Sequence, residues 1–411
     1  MEPLRSRHEP FSRIAQIGIL FSTEKHLPYL LGMIVREACA ISSAEAGALY
    51  LKEGNSLKLS VFQYKDASEK PPGNTPKAPE GGEITSATLS GQALTENKII
   101  NIPNIRSCPE DYPAHLYSDT HYTNYSVQSL MVIPLIGSQQ QKIGVLHLVN
   151  ARSSDGSLMA FDAYLMDLLM PLATQAAIAI LNVRWGMEIQ RSFHDTLYRL
   201  ALAAEYRDDP TGFHIQRIGL YSELIAQYLG LPSRQVDLIR AASPLHDIGK
   251  IAIPETILLK PGKLSPEEFA TIKKHTTVGA LILDHAESEI LQMAEKIART
   301  HHEKFDGSGY PDGLRGADIP LEGRIVAVAD AFDAITTSRP YKVPIGVEQA
   351  VDLMKRDSGK HFDPDCLMAF EKALPKIQKI FQTLQGPPAS TAKSQFEWNM
   401  PSGPGSDNLA K

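Results

Sequence analysis

The second half of this chain holds an ordered set of metal-ligand side chains: His214, His246-Asp247, His275, His301-His302 and Asp330. Imidazole nitrogen and carboxylate oxygen suit Fe, Mn, Co, Ni or Zn. Core packing does not select runs such as His246-Asp-Ile-Gly-Lys250 or His301-His-Glu-Lys-Phe-Asp-Gly-Ser-Gly-Tyr-Pro311. They point to a polynuclear metal site and to hydrolysis of a phosphate ester. Cleaving a phosphodiester at neutral pH needs a nucleophile and relief of negative charge. Two ions a few Å apart supply both, by activating a bridging hydroxide and clamping phosphate oxygens. A carboxylate beside a histidine suits the bridging position, because its two oxygens reach two ions. Lys250 follows His246 by four residues, one helical turn, and so faces the same pocket. There it can bind phosphate or protonate the leaving oxygen.

These residues need a scaffold, and from 190 to 385 the pattern is helix after helix without strand alternation. The clearest helices are 222–231, 235–245, 265–285 and 290–302. Ser265-Pro-Glu-Glu268 is a helix start, with proline in the first turn and a capping-box glutamate. The first half is different. Leu27, Leu30, Leu31, Ile34, Val35 and Ala38 have helical spacing, and short β-like runs follow. Residues 46–51 and 57–62 flank a Gly54-Asn55 hairpin, and 129–136 pairs with 143–149. Residues 66–83 read as a mobile loop. From Phe161 an apolar stripe (Leu165, Leu168, Leu169, Leu172, Ala176, Ile180, Val183) starts a long helix, which continues after a break toward Phe193, Leu197 and Leu200. Such a helix packs on its own sheet or pairs in a dimer.

Bulk composition narrows the class. The chain has 411 residues, 43% hydrophobic and 21% charged, enough for two or three ordinary globular domains. A net charge of −6 does not suggest a nucleic-acid surface. Cys39, Cys108 and Cys366 lack any CxxC and read as buried thiols in a reducing compartment. No apolar run of spanning length and no signal peptide is evident, so a cytoplasmic protein is expected.

Residues 22–183 resemble a GAF domain. The likeness is carried by Ser90-Gly-Gln-Ala93, Ile99-Ile-Asn-Ile-Pro-Asn104, Met131-Val-Ile-Pro-Leu135 and Ile143-Gly-Val-Leu146. It implies a sensor or dimerisation module with an unknown small-molecule ligand. Asn150 and Phe161-Asp162 match part of a cyclic-nucleotide motif, but Ala151 stands where that motif has lysine, so nucleotide binding is not supported.

Residues 195–375 resemble the HD-GYP family of metal-dependent cyclic-dinucleotide phosphodiesterases. The carrying residues are Asp208 to Arg217, His246 to Lys250 with Ile253-Pro254, His275 to Gly279, His301 to Pro311, Ile325 to Asp330 with Asp333 to Thr336, Arg339 to Lys342, and His361 to Pro364. The resemblance implies that His214, His246 and Asp330 hold one ion, that Asp247 bridges, and that His275, His301 and His302 hold the second. Fe or Mn are the ions favoured. It also implies that Arg339 and Lys342 contact a second phosphate or a base, and that Tyr310 lines the substrate pocket. Some members hold a third ion through a glutamate four residues before the first histidine. Here that residue is Pro210, so a third ion would need Asp209, Asp208 or Glu205. His285 is read as a surface or packing residue, His361 as ordering a loop, His194 as facing solvent and Asp333 as mainly structural.

The expected architecture is therefore multidomain α+β. An N-terminal segment (1–21) precedes a GAF domain with an antiparallel sheet (22–183), a connecting helix (161–200), an all-α HD-type domain (190–385) and a disordered tail (386–411). The expected activity is hydrolysis of cyclic di-GMP to pGpG and/or GMP, with cyclic GMP-AMP as the close alternative and a low-turnover receptor as a further one. A homodimer through the GAF domain and connecting helix is expected.

Overall fold

The computed structural model describes residues 5–65, 81–105, 107, 126–206, 212–337 and 344–384. Cys108, Asp208, Asp209, Pro210, Arg339, Lys342, most of the expected 66–83 loop and the tail lie outside the described residues. The chain divides into two compact units, Met1–Arg191 and Ser192–Lys411.

In the first unit, strands β1 (Ala44–Glu53), β2 (Ser56–Tyr64), β3 (Gly81–Glu83), β4 (Ile100–Ile102), β5 (Leu130–Ile136), β6 (Lys142–Arg152) and β7 (Leu158–Met159) form one antiparallel sheet. Their order is β3-β2-β1-β6-β5-β4, with β7 on β6. The hairpin turns at Gly54-Asn55, where Gly54 takes φ 59°, a left-handed value that glycine adopts without a Cβ penalty. Period-two alternation sends Met131, Ile133 and Leu135 to one face and Leu130 and Val132 to the other.

The first face is covered by α1 (Arg5–Thr23), α2 (Leu27–Ser42) and the start of α4 (Leu165–Glu205), and the second by α3 (Leu89–Glu96). Two expectations change here. The N-terminal segment is a helix that buries Ile17 and Phe21, and residues 81–83 form a strand. The expected break in the long helix is also absent: α4 runs unbroken for 41 residues, with Pro171 in its second turn. By length and composition this helix alone among the described ones could cross a membrane, but half of its most apolar window is buried. Leu169, Leu172, Ala176 and Ile180 lie in the sheet's core, which accounts for the hydropathy without a bilayer.

The second unit is helical: α5 (Phe213–Tyr228), α6 (Ser233–Ala242), α7 (Glu255–Leu258), α8 (Pro266–Leu283), α9 (Glu289–Thr300), α10 (Leu321–Thr336), α11 (Val347–Arg356) and α12 (Pro364–Thr383). Its core centres on Phe332, with ring centroids 4.9 Å from Phe370 and 5.8 Å from Tyr221. The end of α4 joins it through Leu197, Ala201 and Ala204. Helix α5 begins nine residues before the expected start. The Ser265/Glu268 capping box forms in full, each side chain bonding the other's backbone N–H.

Candidate metal centre

The ligand-type residues sit where helices end or turn inward. His214 lies in the first turn of α5. His246 and Asp247 lie between two 3-10 turns, Ser243–Leu245 and Ile248–Ala252. His275 is inside α8, His301 caps the end of α9 with His302 next, and Asp330 is in α10. Gly249 lets the 246–252 turn lie against α8, since a Cβ there would be 2.0 Å from the His275 carbonyl oxygen.

Two clusters result, His214, His246 and Asp330, and Asp247, His275, His301 and His302, with a third group, Glu205, His214 and Asp247, that draws one residue from each. Within each, one ligand atom per residue lies within 4.8 Å of the others. Asp247 stands between them. Its Oδ2 is 3.2 Å from His246 Nε2, while its Oδ1 is 3.2 Å from His275 Nε2 and 3.6 Å from His301 Nε2. Asp330 Oδ1 lies 3.6 Å from His214 Nε2 and 3.9 Å from His246 Nε2.

Four imidazoles are aimed from behind. Nδ1 of His246 reaches the Ser243 carbonyl at 3.0 Å, that of His275 the Ile272 carbonyl at 2.6 Å, and that of His301 the Ile297 carbonyl at 3.0 Å. His214 Nδ1 reaches Asp333 Oδ2 at 2.7 Å. A carbonyl can only accept, so at His246, His275 and His301 Nδ1 carries a proton and Nε2 points inward, where the neutral ring offers a lone pair. His214 Nε2, His246 Nε2 and Asp247 Oδ1 are buried without a hydrogen-bond partner, and the Nε2 atoms of His275 and His301 face each other at 3.5 Å. Buried lone pairs converging without donors are what a divalent cation would satisfy, so the residues fit that group.

The charges agree. Burial, with repulsion from neighbouring imidazoles, holds His302 well below the ordinary histidine range. Burial likewise takes His275 down to about 4. Both are neutral near pH 7, as a ligand must be. Burial would also depress His246, but Asp247, Asp330 and Glu205 reverse the sign and lift it to about 9. Burial pushes the Asp247 carboxyl up, yet Lys250 and His246 outweigh it and hold the group well below its usual value.

Sequence reasoning placed Lys250 on a helical turn. The backbone is instead a 3-10 turn, and its tighter winding sets the Nζ 2.8 Å from Asp247 Oδ2, three residues back. Asp333, read first as structural and second as a support behind the ligands, takes the supporting role. It is fully buried, bonds His214 and takes a two-pronged ion pair from Arg217 at 2.5 and 2.8 Å. Arg217 had no assigned role. The signal was spacing: Arg217 and Asp333 each follow a ligand-type residue by three, on the same helical face. Glu205 also enters, with Oε1 3.8 Å from His214 Nε2.

A cavity of about 630 Å³ opens over the cluster, lined among others by Lys250, Lys260, Lys263, His302, Tyr310 and Asp330. Tyr310 packs its ring 4.9 Å from that of His302, and Lys273 Nζ lies 5.1 Å from the Tyr310 centroid. Buried Glu303 holds the loop that carries Tyr310, accepting from the N–H groups of Asp312, Gly313 and Leu314 at 2.7, 3.0 and 3.1 Å. His285 is exposed. His361 donates its backbone N–H to Asp357 and accepts from Phe305 N–H, so it ties two loops together. His194 is half-buried, contrary to expectation.

The first unit has its own cavity of about 500 Å³, lined by Tyr50, Glu83, Thr85, Thr88, Ser90 and His147 among others, with Ser90 Oγ 2.8 Å from His147 Nε2. Asn150 is spent on backbone, accepting from Gln128 N–H and donating to the Ser126 carbonyl.

Residues 27–180 match the family model for the GAF domain and residues 201–366 that for the HD domain, so the chain carries a GAF domain followed by an HD domain, a fold that binds divalent metal. Among its relatives, the 3'3'-cGAMP-specific phosphodiesterase 2 of Vibrio cholerae serotype O1 is 46% identical over 44% of this chain and 35% of its own length. The cyclic di-GMP phosphodiesterase response regulator RpfG of Xanthomonas campestris pv. campestris is 44% identical over 47% of this chain and 51% of its own. The cyclic di-GMP phosphodiesterase of Thermotoga maritima is 47% identical over 47% of this chain and 53% of its own. The chain thus spans between about a third and a half of the length of these relatives.

Proposed function

We propose that this chain is an HD-GYP-type phosphodiesterase that hydrolyses cyclic di-GMP to pGpG and/or GMP under control of its GAF domain. The observation that carries the reading is Asp247, a buried carboxylate shared by two clusters of inward-facing imidazoles beneath a lysine-lined cavity. His214, His246 and Asp330 would hold one ion and His275, His301 and His302 the other, with Asp247 common to both. Fe or Mn suit these donors. When bound, the pair supplies charge relief and an activated water. The chain's own groups do the rest. Lys250 Nζ, at the Asp247 edge of the cavity, is placed to neutralise a phosphate oxygen and hand a proton to the leaving oxygen. Tyr310, backed by His302, forms an apolar wall for a nucleobase. Arg339 and Lys342 are assigned to the second phosphate or the base. A third ion is not part of this reading.

A second substrate, cyclic GMP-AMP, is favoured by the 46% identical relative, a 3'3'-cGAMP-specific phosphodiesterase, since the ligand set reads phosphate and not base. A homodimer through the GAF domain and α4, a small-molecule ligand in the GAF cavity and a cytoplasmic setting complete the proposal.

The test is metal analysis of anaerobically purified protein joined to a cyclic-dinucleotide hydrolysis assay. His246→Ala with Asp247→Ala abolishes turnover while the helical circular dichroism is retained. Full activity in that double variant refutes the site. Tight nucleotide binding by metal-loaded protein without any product makes the chain a receptor instead.

A further inference from the structure

Glu205 is an acid in an unfavourable place. It is the last residue of α4, where the helix dipole repels an anion, and it is 1% exposed. A carboxylate buried there needs a counter-charge. Its Oε1 lies 3.2 Å and its Oε2 3.5 Å from Lys250 Nζ. The same ammonium is 2.8 Å from Asp247 Oδ2, so Lys250 lies between two carboxylates.

The two partners are not equivalent. Asp247 faces His246 on one oxygen and His275 and His301 on the other, so its charge is committed to whatever cations those imidazoles share. Cations there repel the ammonium and draw away the Asp247 charge that held it. Glu205 approaches the imidazoles less closely: its Oε1 is 3.8 Å from His214 Nε2, whereas Asp247 stands 3.2 Å from both His246 and His275.

We propose that Glu205 is the positioning residue for Lys250. It keeps the ammonium at the edge of the loaded metal centre, facing the substrate cavity. This rests on the proposed hydrolase reading and deepens it. The helix that ends at Glu205 starts at Leu165 inside the GAF core. A displacement of its last turn therefore moves the counter-charge of Lys250.

The experiment compares the full chain, loaded with Mn(II), with its Glu205→Gln and Glu205→Asp variants. Lys250 is labelled with an amine-reactive reagent and followed by peptide mass spectrometry, alongside metal content and kinetics on cyclic di-GMP. In Glu205→Gln the metal content stays that of the unaltered protein and Lys250 labels several-fold faster. There kcat falls by about 100-fold, as for loss of a general acid, with KM within about twofold. Glu205→Asp, which keeps the charge, recovers a large part of both changes. Unchanged Lys250 labelling in Glu205→Gln overturns the proposal. So does loss of an ion per chain, which would make Glu205 a metal ligand. If the unaltered protein hydrolyses no cyclic dinucleotide, the hydrolase reading falls, while the labelling still decides whether Glu205 holds Lys250.

Discussion

Asp333→Asn separates support of the metal centre from its chemistry. Asp333 is fully buried, and its carboxyl, which burial alone would push up, is held below the usual range by Arg217 and His214. The amide removes one charge and one acceptor. Its NH2 must then face either the Arg217 guanidinium or the His214 N–H, donor against donor, while Arg217, 4% exposed, loses the Asp333 charge. Breaking a buried pair this way costs roughly 3–5 kcal/mol. One oxygen still accepts, so the lower figure applies, about 3 kcal/mol. A unit of this size loses about 2–4 °C in Tm per kcal/mol, which gives a fall of about 6–12 °C in thermal unfolding of metal-free protein. The sign with pH follows from the lowered pKa. The stabilisation is present above about pH 4 and is lost as the pH falls through the folded-state value, so the gap between the two proteins closes only in acid. Metal affinity should drop by about 10–100-fold, because His214 loses its orienting partner. Asp333→Leu with Arg217→Met, which removes both charges, should recover much of the stability and none of the affinity. A Tm shift below about 2 °C in Asp333→Asn, or no recovery in the double variant, refutes this account of Asp333.

Two further perturbations test the centre from other sides. In metal-free protein His246 is lifted to about 9, so it carries a proton at pH 7 that an ion must expel. Mn(II) binding should release that proton and tighten by about tenfold per pH unit between pH 7 and 9, read by calorimetry in buffers of different ionisation enthalpy. Equal heats across those buffers would count against it. The same raised value stabilises the metal-free fold fully below about pH 6.5, and that contribution is lost as the pH rises through about 9. Gly249→Ala would drive a Cβ to 2.0 Å from the His275 carbonyl oxygen and 2.5 Å from Gly279 N, both backbone. The turn carrying His246 and Asp247 must then lift off α8, at a cost of about 3 kcal/mol or more in urea unfolding and with metal binding lost. An alanine variant of native stability would show the packing to be looser than drawn.

The ligand-type residues were legible because chemistry chose them: no packing argument supplies a His-Asp pair and a His-His pair within sixty residues of each other. The hairpin at Gly54-Asn55 and the capping box at Ser265 were legible because their signals are local and nearly sufficient. What escaped needed partners distant in sequence. Arg217 and Asp333 are 116 residues apart, so nothing short-range says that one neutralises the other behind His214. Glu205 was singled out in the sequence only as a stand-in ligand for a third ion, and only the fold reveals that its carboxylate meets Lys250. The unbroken run of α4 was missed because Gly186 and the charged residues between 184 and 192 interrupt the apolar stripe, while the helix continues through them with mostly exposed side chains. The 3-10 turn at 248–252 was missed because an i, i+4 reading assumes α-helical winding, whereas Gly249 and the close approach to α8 impose a tighter one.

The cradle built by Glu303 has a consequence for anyone who would transplant this recognition surface. Glu303 adjoins His302, and its two oxygens gather the N–H groups of Asp312, Gly313 and Leu314. Gly309 crosses the same residue so closely that a Cβ would stand 2.5 Å from the Glu303 Cα. The shape of the loop that carries Tyr310 is thus dictated from beside His302 and not from its own tip. A graft of residues 306–312 alone would arrive without its mould. The inheritable cassette runs from His301 to Leu314, so that on the proposed reading substrate preference and metal ligation travel together.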